Sequence, residues 1–166
     1  DLPPFTNYDM EGHTYRYFRG EPLYPFGYGL SYTTFAYQDL EVTPSTLSSI
    51  DEIQVSVKVT NTGQKAGDEV VQLYIKDVEA SVPTPIRELA GFQRVHLGAA
   101  QTKTLHFAIQ PRQLALFDDD GHWAIEPGTF EIAIGGIQPT YEHLVSGHTQ
   151  VLSETFEFTG PITHID

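Results

Sequence analysis

Apolar and polar residues alternate along most of the chain beyond residue 33. In residues 52–61 the side chains of Ile53, Val55, Val57 and Val59 fall on one side and polar ones on the other, the period-two pattern of a half-buried β-strand. Residues 68–77 repeat it with Val71, Leu73 and Ile75. Between them, Asn61-Thr-Gly-Gln-Lys-Ala-Gly67 is rich in turn formers, so the two strands are predicted to form a hairpin. Residues 33–42 alternate through Phe35, Tyr37, Leu40 and Val42 with one slip, and stop at Thr43-Pro44. Residues 87–97 predict a strand kinked at Gly91, and residues 102–109 a regular one with Leu105, Phe107 and Ile109 inward. Two prolines in Val82-Pro-Thr-Pro85 keep that stretch out of a sheet interior and predict a loop crossing between sheets. Residues 111–117 predict one helical turn with Pro111 at its start. The Asp120-Gly121 turn then leads into a short strand ending at Ile125. Phe130, Ile132 and Ile134 mark another strand, and residues 150–159, with Phe156 and Phe158, a last one.

Seven or eight strands without a long helix predict an all-β fold. Its expected form is an antiparallel two-sheet sandwich of the fibronectin type III-like (immunoglobulin-like) kind, with an open barrel as the alternative. The chain has no cysteine, so the inter-sheet cysteine pair of antibody domains is absent, which favours the fibronectin-like variant. Residues 15–32 break the pattern with seven aromatics, two prolines and three glycines. They predict an irregular N-terminal arm that presents rings to a partner. Tyr15, Arg16, Tyr17, Phe18, Tyr24 and Phe26 are the candidate interdomain or cleft-lining residues, and the partner is expected outside this chain.

A net charge of −13 with nine basic residues in 166 excludes nucleic acid as a partner, because such affinity rests on Lys and Arg neutralising phosphates. The same charge repels anionic membrane surfaces. No apolar run approaches the roughly 20 residues of a membrane helix. The start Asp-Leu-Pro-Pro, without Met, is expected to belong to a longer polypeptide. No cofactor and no metal are expected. Asp118, Asp119 and Asp120 lack the later glutamate of a calcium loop and read as a solvated turn. The seven histidines are scattered at positions 13, 96, 106, 122, 143, 148 and 164. His96 and His106 fall on strands that could be neighbours, but exposed strand histidines are the plainer reading. His143 and His148 have no matching third ligand. No Gly-x-Ser-x-Gly, phosphate loop or His-Glu-x-x-His is present, and no catalytic residue is assigned. Trp123 and Tyr141 are candidates for a sugar-stacking platform, against the plainer reading of Trp123 as a core residue.

The run Tyr24-Pro-Phe-Gly-Tyr-Gly-Leu-Ser-Tyr32 followed by Thr33-Thr34-Phe35 resembles the C-terminal part of glycoside hydrolase family 3 enzymes, the β-glucosidases and β-xylosidases. Asn61-Thr-Gly63, Gly67-Asp-Glu-Val-Val-Gln-Leu-Tyr74, Arg87-Glu-Leu-Ala-Gly-Phe92, Asp120-Gly-His-Trp123 and Pro127-Gly-Thr-Phe-Glu-Ile132 extend the resemblance over roughly residues 8 to 136. The resemblance implies a barrel domain with an aspartate nucleophile, an α/β domain with an acid/base glutamate, and a terminal fibronectin type III-like domain. Only the last is matched here. Residues 1–32 are then a linker or arm from the preceding α/β domain, and residues 33–166 the sandwich. The implied role is a non-catalytic accessory domain of a β-glucosidase or β-xylosidase that braces the catalytic domains. Its partners are those domains and, as a candidate, polysaccharide. An independent carbohydrate- or protein-binding module is the alternative. The family setting is extracellular or periplasmic.

Overall fold

The computed structural model describes residues 4–6, 10, 12–141, 143 and 150–165. His148 therefore lies outside the described residues. The strands are β1 (Phe35–Thr43), β2 (Thr46–Leu47), β3 (Ile53–Asn61), β4 (Gly67–Asp77), β5 (Glu88–Leu97) and β6 (Thr102–Ile109). They continue as β7 (Leu116–Phe117), β8 (Trp123–Ile125), β9 (Gly128–Gly135), β10 (Leu152–Phe158) and β11 (Thr163–Ile165). One sheet has the order β1-β3-β6 and faces a second of order β2-β10-β9-β4-β5, while β11-β8-β7 makes a small third ribbon. All pairings are antiparallel except the short one between β2 and β10. This is the predicted sandwich. Among the described residues no helix is long and apolar enough to cross a membrane.

The period-two residues form the core. Ile53, Val55, Val57 and Val59 of β3 are fully buried against Val71, Leu73 and Ile75 of β4 and the inward residues of β9. On β9 and β10 the register partners Phe130 and Phe156 stack with centroids 5.2 Å apart. Burying an aliphatic or aromatic side chain of this size contributes about 1.5–3 kcal/mol, so the two inner faces hold the sheets together. The slip in the first strand is a β-bulge. Pairing of β1 with β3 shifts between Gln38 and Glu41, and Asp39 adopts a left-handed φ of 52°, which moves one residue out of the ladder. The kink expected at Gly91 is a bulge as well, with Leu73 opposite Gly91 and Tyr74 opposite Leu89. Residues 111–114 form a single 3₁₀ turn.

Two connections are the reverse of the expectation. The predicted hairpin between β3 and β4 does not exist, because β3 pairs with β1 and β6 whereas β4 pairs with β5 and β9. The turn at 62–66 carries the chain from one sheet to the other. Buried Asn61 organises that corner. Its Oδ1 accepts from Gly63 N–H (3.0 Å) and Thr33 Oγ1–H (2.6 Å), and its Nδ2 donates to Lys65 O (2.8 Å) and Leu97 O (3.0 Å). An amide satisfied on all sides gives the backbone a route out of the sheet that a tight hairpin would not need. Conversely, the loop holding Pro83 and Pro85 joins β4 to β5, neighbours in one sheet. The prolines exclude that loop from the ladder without sending the chain across.

A polar bond also spans the sandwich. The buried Tyr37 of β1 donates its hydroxyl to Glu69 Oε1 of β4 at 2.6 Å. Burial drives the Tyr37 phenol above its ordinary value, and the Glu69 charge adds to this. Burial likewise pushes the Glu69 carboxyl up, while the bond from Tyr37 pulls it partly back. A carboxyl raised in the folded state contributes stability that is fully present below its unfolded value of about 4.3 and is lost as pH rises through the folded value. Glu69→Gln keeps an acceptor for Tyr37. It is expected to melt higher than the parent at pH 7 and to lose that advantage at about pH 3.5. A lower melting temperature at pH 7 would show that the charge itself is needed.

Candidate functional site

The arm lies on the outer face of the five-stranded sheet, over β4, the start of β5 and the loop after β9. Alternation leaves Gln72 and Tyr74 of β4 on that face, yet they are only 4% and 1% exposed, because the arm covers them. A short helical turn, α1 (Thr14–Tyr17), begins the seat. Tyr15 packs its ring edge-on to Tyr74 (centroids 6.4 Å) and stacks on Phe26 (4.8 Å). Backbone bonds then fix the path. Ile86 N–H donates to Arg16 O at 2.7 Å, and Gln138 N–H donates to Phe26 O at 2.9 Å. Gln138 Nε2 donates to Tyr15 O (3.0 Å), and Tyr141 donates its hydroxyl toward Gly20 O (2.9 Å) and Phe18 O (3.3 Å). Arg16 pairs with Glu88 and lies 5.9 Å from the centroid of the Tyr17 ring.

Sequence explains the local shape. Pro25 is buried, and Tyr28 N–H closes a turn onto its carbonyl at 3.0 Å. Gly27 takes φ +87° in that turn, and a Cβ there would lie 2.2 Å from Gln72 Nε2. Gln72 has little freedom to give way, since its Nε2 donates to Gly136 O (2.9 Å) and its Oε1 accepts from Tyr74 (2.5 Å). Tyr24 and Tyr28 lie with centroids 4.8 Å apart, both exposed.

The six candidate arm residues therefore divide. Tyr15 is packed within the chain, and Arg16 and Phe18 are half-buried on the same seat. Phe18, Tyr24 and Phe26 line a cleft of about 320 Å³ together with Tyr141. Tyr17 faces a larger cleft of about 460 Å³, walled by Pro83, Pro85, Arg112, Phe117 and Trp123. Trp123 is not a core residue. It is 39% exposed, packs edge-on to Phe117 at 5.4 Å, and has the Arg112 guanidinium 5.4 Å from its ring centroid. Tyr141 is buried beneath the arm, so the structure does not bring it to Trp123 as one sugar platform. His96 and His106 are separated as well. His96 on β5 holds Asp68 Oδ1 at 2.5 Å, whereas His106 lies on β6 in the other sheet, opposite Ser56. His143 lies 3.6 Å from Glu21.

Sequence reasoning missed the receiving residues Gln72, Tyr74 and Gln138. One signal was available. The run Val71-Gln-Leu-Tyr-Ile75 is buried at every position, and a tyrosine on the face assigned to solvent is what a second covering layer produces. The arm also leaves apolar side chains bare, with Leu23, Leu30 and Tyr32 94%, 91% and 93% exposed and Tyr24 68%.

Residues 69–137 match the family described as fibronectin type III-like domain. The thermostable β-glucosidase B of Acetivibrio thermocellus is 47% identical over 125 residues, covering 73% of this chain and 17% of that protein. A β-xylosidase of Formosa agariphila is 43% identical over 121 residues, again 73% of this chain and 17% of its own length. Among solved structures, a β-glucosidase of Erythrobacter marinus superposes with a TM-score of 0.73 at 35% identity, covering 93% of this chain and 18% of that one. The chain thus spans less than a fifth of the length of these relatives.

Gly27→Ala tests the seat of the arm. Strain at a positive φ, of order 1–3 kcal/mol, and the clash with Gln72 should loosen residues 20–32 from the sheet. The expected readout is faster limited proteolysis within that segment with the sandwich strands unaffected. An unchanged cleavage pattern would mean that Gly27 does not control the seat.

Proposed function

Because the chain belongs to the fibronectin type III-like domains of family 3 glycoside hydrolases, we propose that it works as a non-catalytic accessory domain of a longer β-glycosidase. In that reading it braces the domains that hydrolyse terminal β-linked glucose or xylose. Residues 1–32 are the arm leaving a preceding α/β domain, and residues 33–166 are the sandwich that anchors it. The observation that carries this is the division of the arm. One side is tied to the sheet through Tyr15, Arg16 and Phe26, and the other presents Leu23, Tyr24, Leu30 and Tyr32 to the outside. A loose apolar strip would cost conformational entropy on docking, whereas an arm already held in place has lost most of that freedom. Each such side chain covered by a neighbouring domain contributes about 1.5–3 kcal/mol, so four of them suffice to set an orientation. Sugar choice, glucose or xylose, rests with the catalytic domains.

The relatives named as glucosidase and xylosidase match the same domain at similar identity, which supports a shared mechanical role over a sugar-specific one. The test compares two contexts. In the longer enzyme, Leu30→Ser with Tyr32→Ser is expected to lower the melting temperature clearly. In the isolated 166-residue chain, where both side chains are already exposed, the same pair should shift stability by no more than about 0.5 kcal/mol. Equal effects in both contexts, or firm retention of the isolated chain on insoluble cellulose or xylan, would overturn the bracing role in favour of a free-standing binding module.

A further inference from the structure

The small ribbon at the edge of the sandwich brings together three side chains from separate parts of the sequence. Asp118 follows β7, His122 precedes β8, and His164 lies on β11, which pairs with β8 so that His164 is opposite Ala124. Their ligand atoms, one from each residue, all lie within 4.8 Å of one another. His122 Nδ1 is 3.9 Å from Asp118 Oδ1, and His164 Nδ1 is 3.8 Å from Asp118 Oδ2. The two imidazole rings meet edge to face with centroids 5.5 Å apart. From this geometry we propose that Asp118, His122 and His164 bind one divalent first-row transition metal ion of the zinc class, which clamps β11 to the β7–β8 hairpin.

Three observations carry the assignment. The first is placement. The turn is locked by Asp118 N–H donating to His122 O (2.9 Å), Gly121 N–H donating to Asp118 O (3.1 Å), and His122 N–H donating to Asp118 Oδ1 (2.8 Å). Gly121 supplies the positive φ of 85° that the turn requires. The carboxylate is thus held from behind, with its side chain 19% exposed, and only the two rings need to move. The second is distance. Metal–nitrogen and metal–oxygen bonds of about 2.0–2.2 Å in a tetrahedral arrangement place donors roughly 3.3–3.6 Å apart, so separations of 3.8–4.8 Å close with ring movements of about 1 Å. The third is chemistry. Two imidazoles with one carboxylate match zinc, cobalt, nickel or copper and discriminate against calcium and magnesium, which take oxygen ligands. Three protein ligands leave at least one position for water.

Such an ion ties a short three-residue strand to a hairpin through a site absent from the unfolded chain, so binding and local folding are linked. The proposal is independent of the bracing role. In the tag-free 166-residue chain at neutral pH, zinc chloride is expected to bind at one ion per chain by calorimetry and to raise the melting temperature. Calcium or magnesium chloride should do neither. Cobalt(II) should give visible absorption from a nitrogen- and oxygen-ligated ion. His164→Gln and His122→Gln, both on exposed positions, should each weaken zinc binding at least tenfold while His96→Gln leaves it unchanged. Absence of zinc binding, or zinc binding unaffected by either ribbon variant, would show that the three groups are only neighbouring ion pairs.

Discussion

Everything in this molecule depends on β4 being covered on both faces. Its inner residues Val71, Leu73 and Ile75 pack into the sandwich core, and its outer residues Gln72 and Tyr74 are sealed by the arm. From Gln72 to Ile75 the strand is flanked by β5 and β9 and covered above and below, so this half has no free edge and no solvated face. Buried polar atoms there need partners; Gln72, Tyr74 and Gln138 have them, whereas Arg16 Nε of the arm is buried without one. Gln72 bridges Tyr74 and the carbonyl of Gly136, and Gln138 takes up the backbone of the arm at Tyr15 and Phe26. The seat of the arm is therefore hydrogen-bonded as well as apolar, which sets its register along the sheet and not merely its adhesion.

That arrangement links fold to role. The sandwich is a common scaffold that implies no particular chemistry; what distinguishes this one is the ordered segment laid across it. The arm converts a sheet face, which alone would present Tyr74 and its neighbours to water, into a surface whose exposed residues include Leu23, Tyr24, Phe26, Tyr28, Leu30 and Tyr32. The prolines and Gly27 make that conversion possible, because an extended, tightly turned backbone can satisfy its carbonyls on Ile86, Gln138 and Tyr141 without forming a strand of its own.

The ribbon β11-β8-β7 is a second addition to the sandwich, and it borders the cleft where Tyr17 approaches Trp123. With Arg112 against its ring and Phe117 at its edge, Trp123 helps join the ribbon to the 3₁₀ turn instead of filling the core. The ribbon's strands are only two or three residues long and tuck Leu116, Ala124 and Ile125 inward, so cross-links between its exposed side chains add to a small ladder.

Strand positions and their inward residues were legible from sequence, because side-chain alternation along an extended backbone is a local property. Ile53 to Val59, Leu105 to Ile109 and Phe130 to Ile134 face inward whichever strand lies beside them, and the slip at Asp39 marks its bulge. Which strands pair is not local. Residues 62–66 looked like a hairpin turn and cross between sheets, while the proline loop after β4 looked like a crossing and joins neighbours. Only the closing of both sheets around one core, with Asn61 satisfied at the corner, selects between these routes. The same holds for the arm and the ribbon. Its rings announced that residues 15–32 pack on something, but the receiving face exists only once β4 and β9 lie side by side, and Asp118, His122 and His164 become neighbours only when β11 pairs with β8. Period and composition determined what this chain buries; long-range pairing decided where each buried or exposed group would meet its partner.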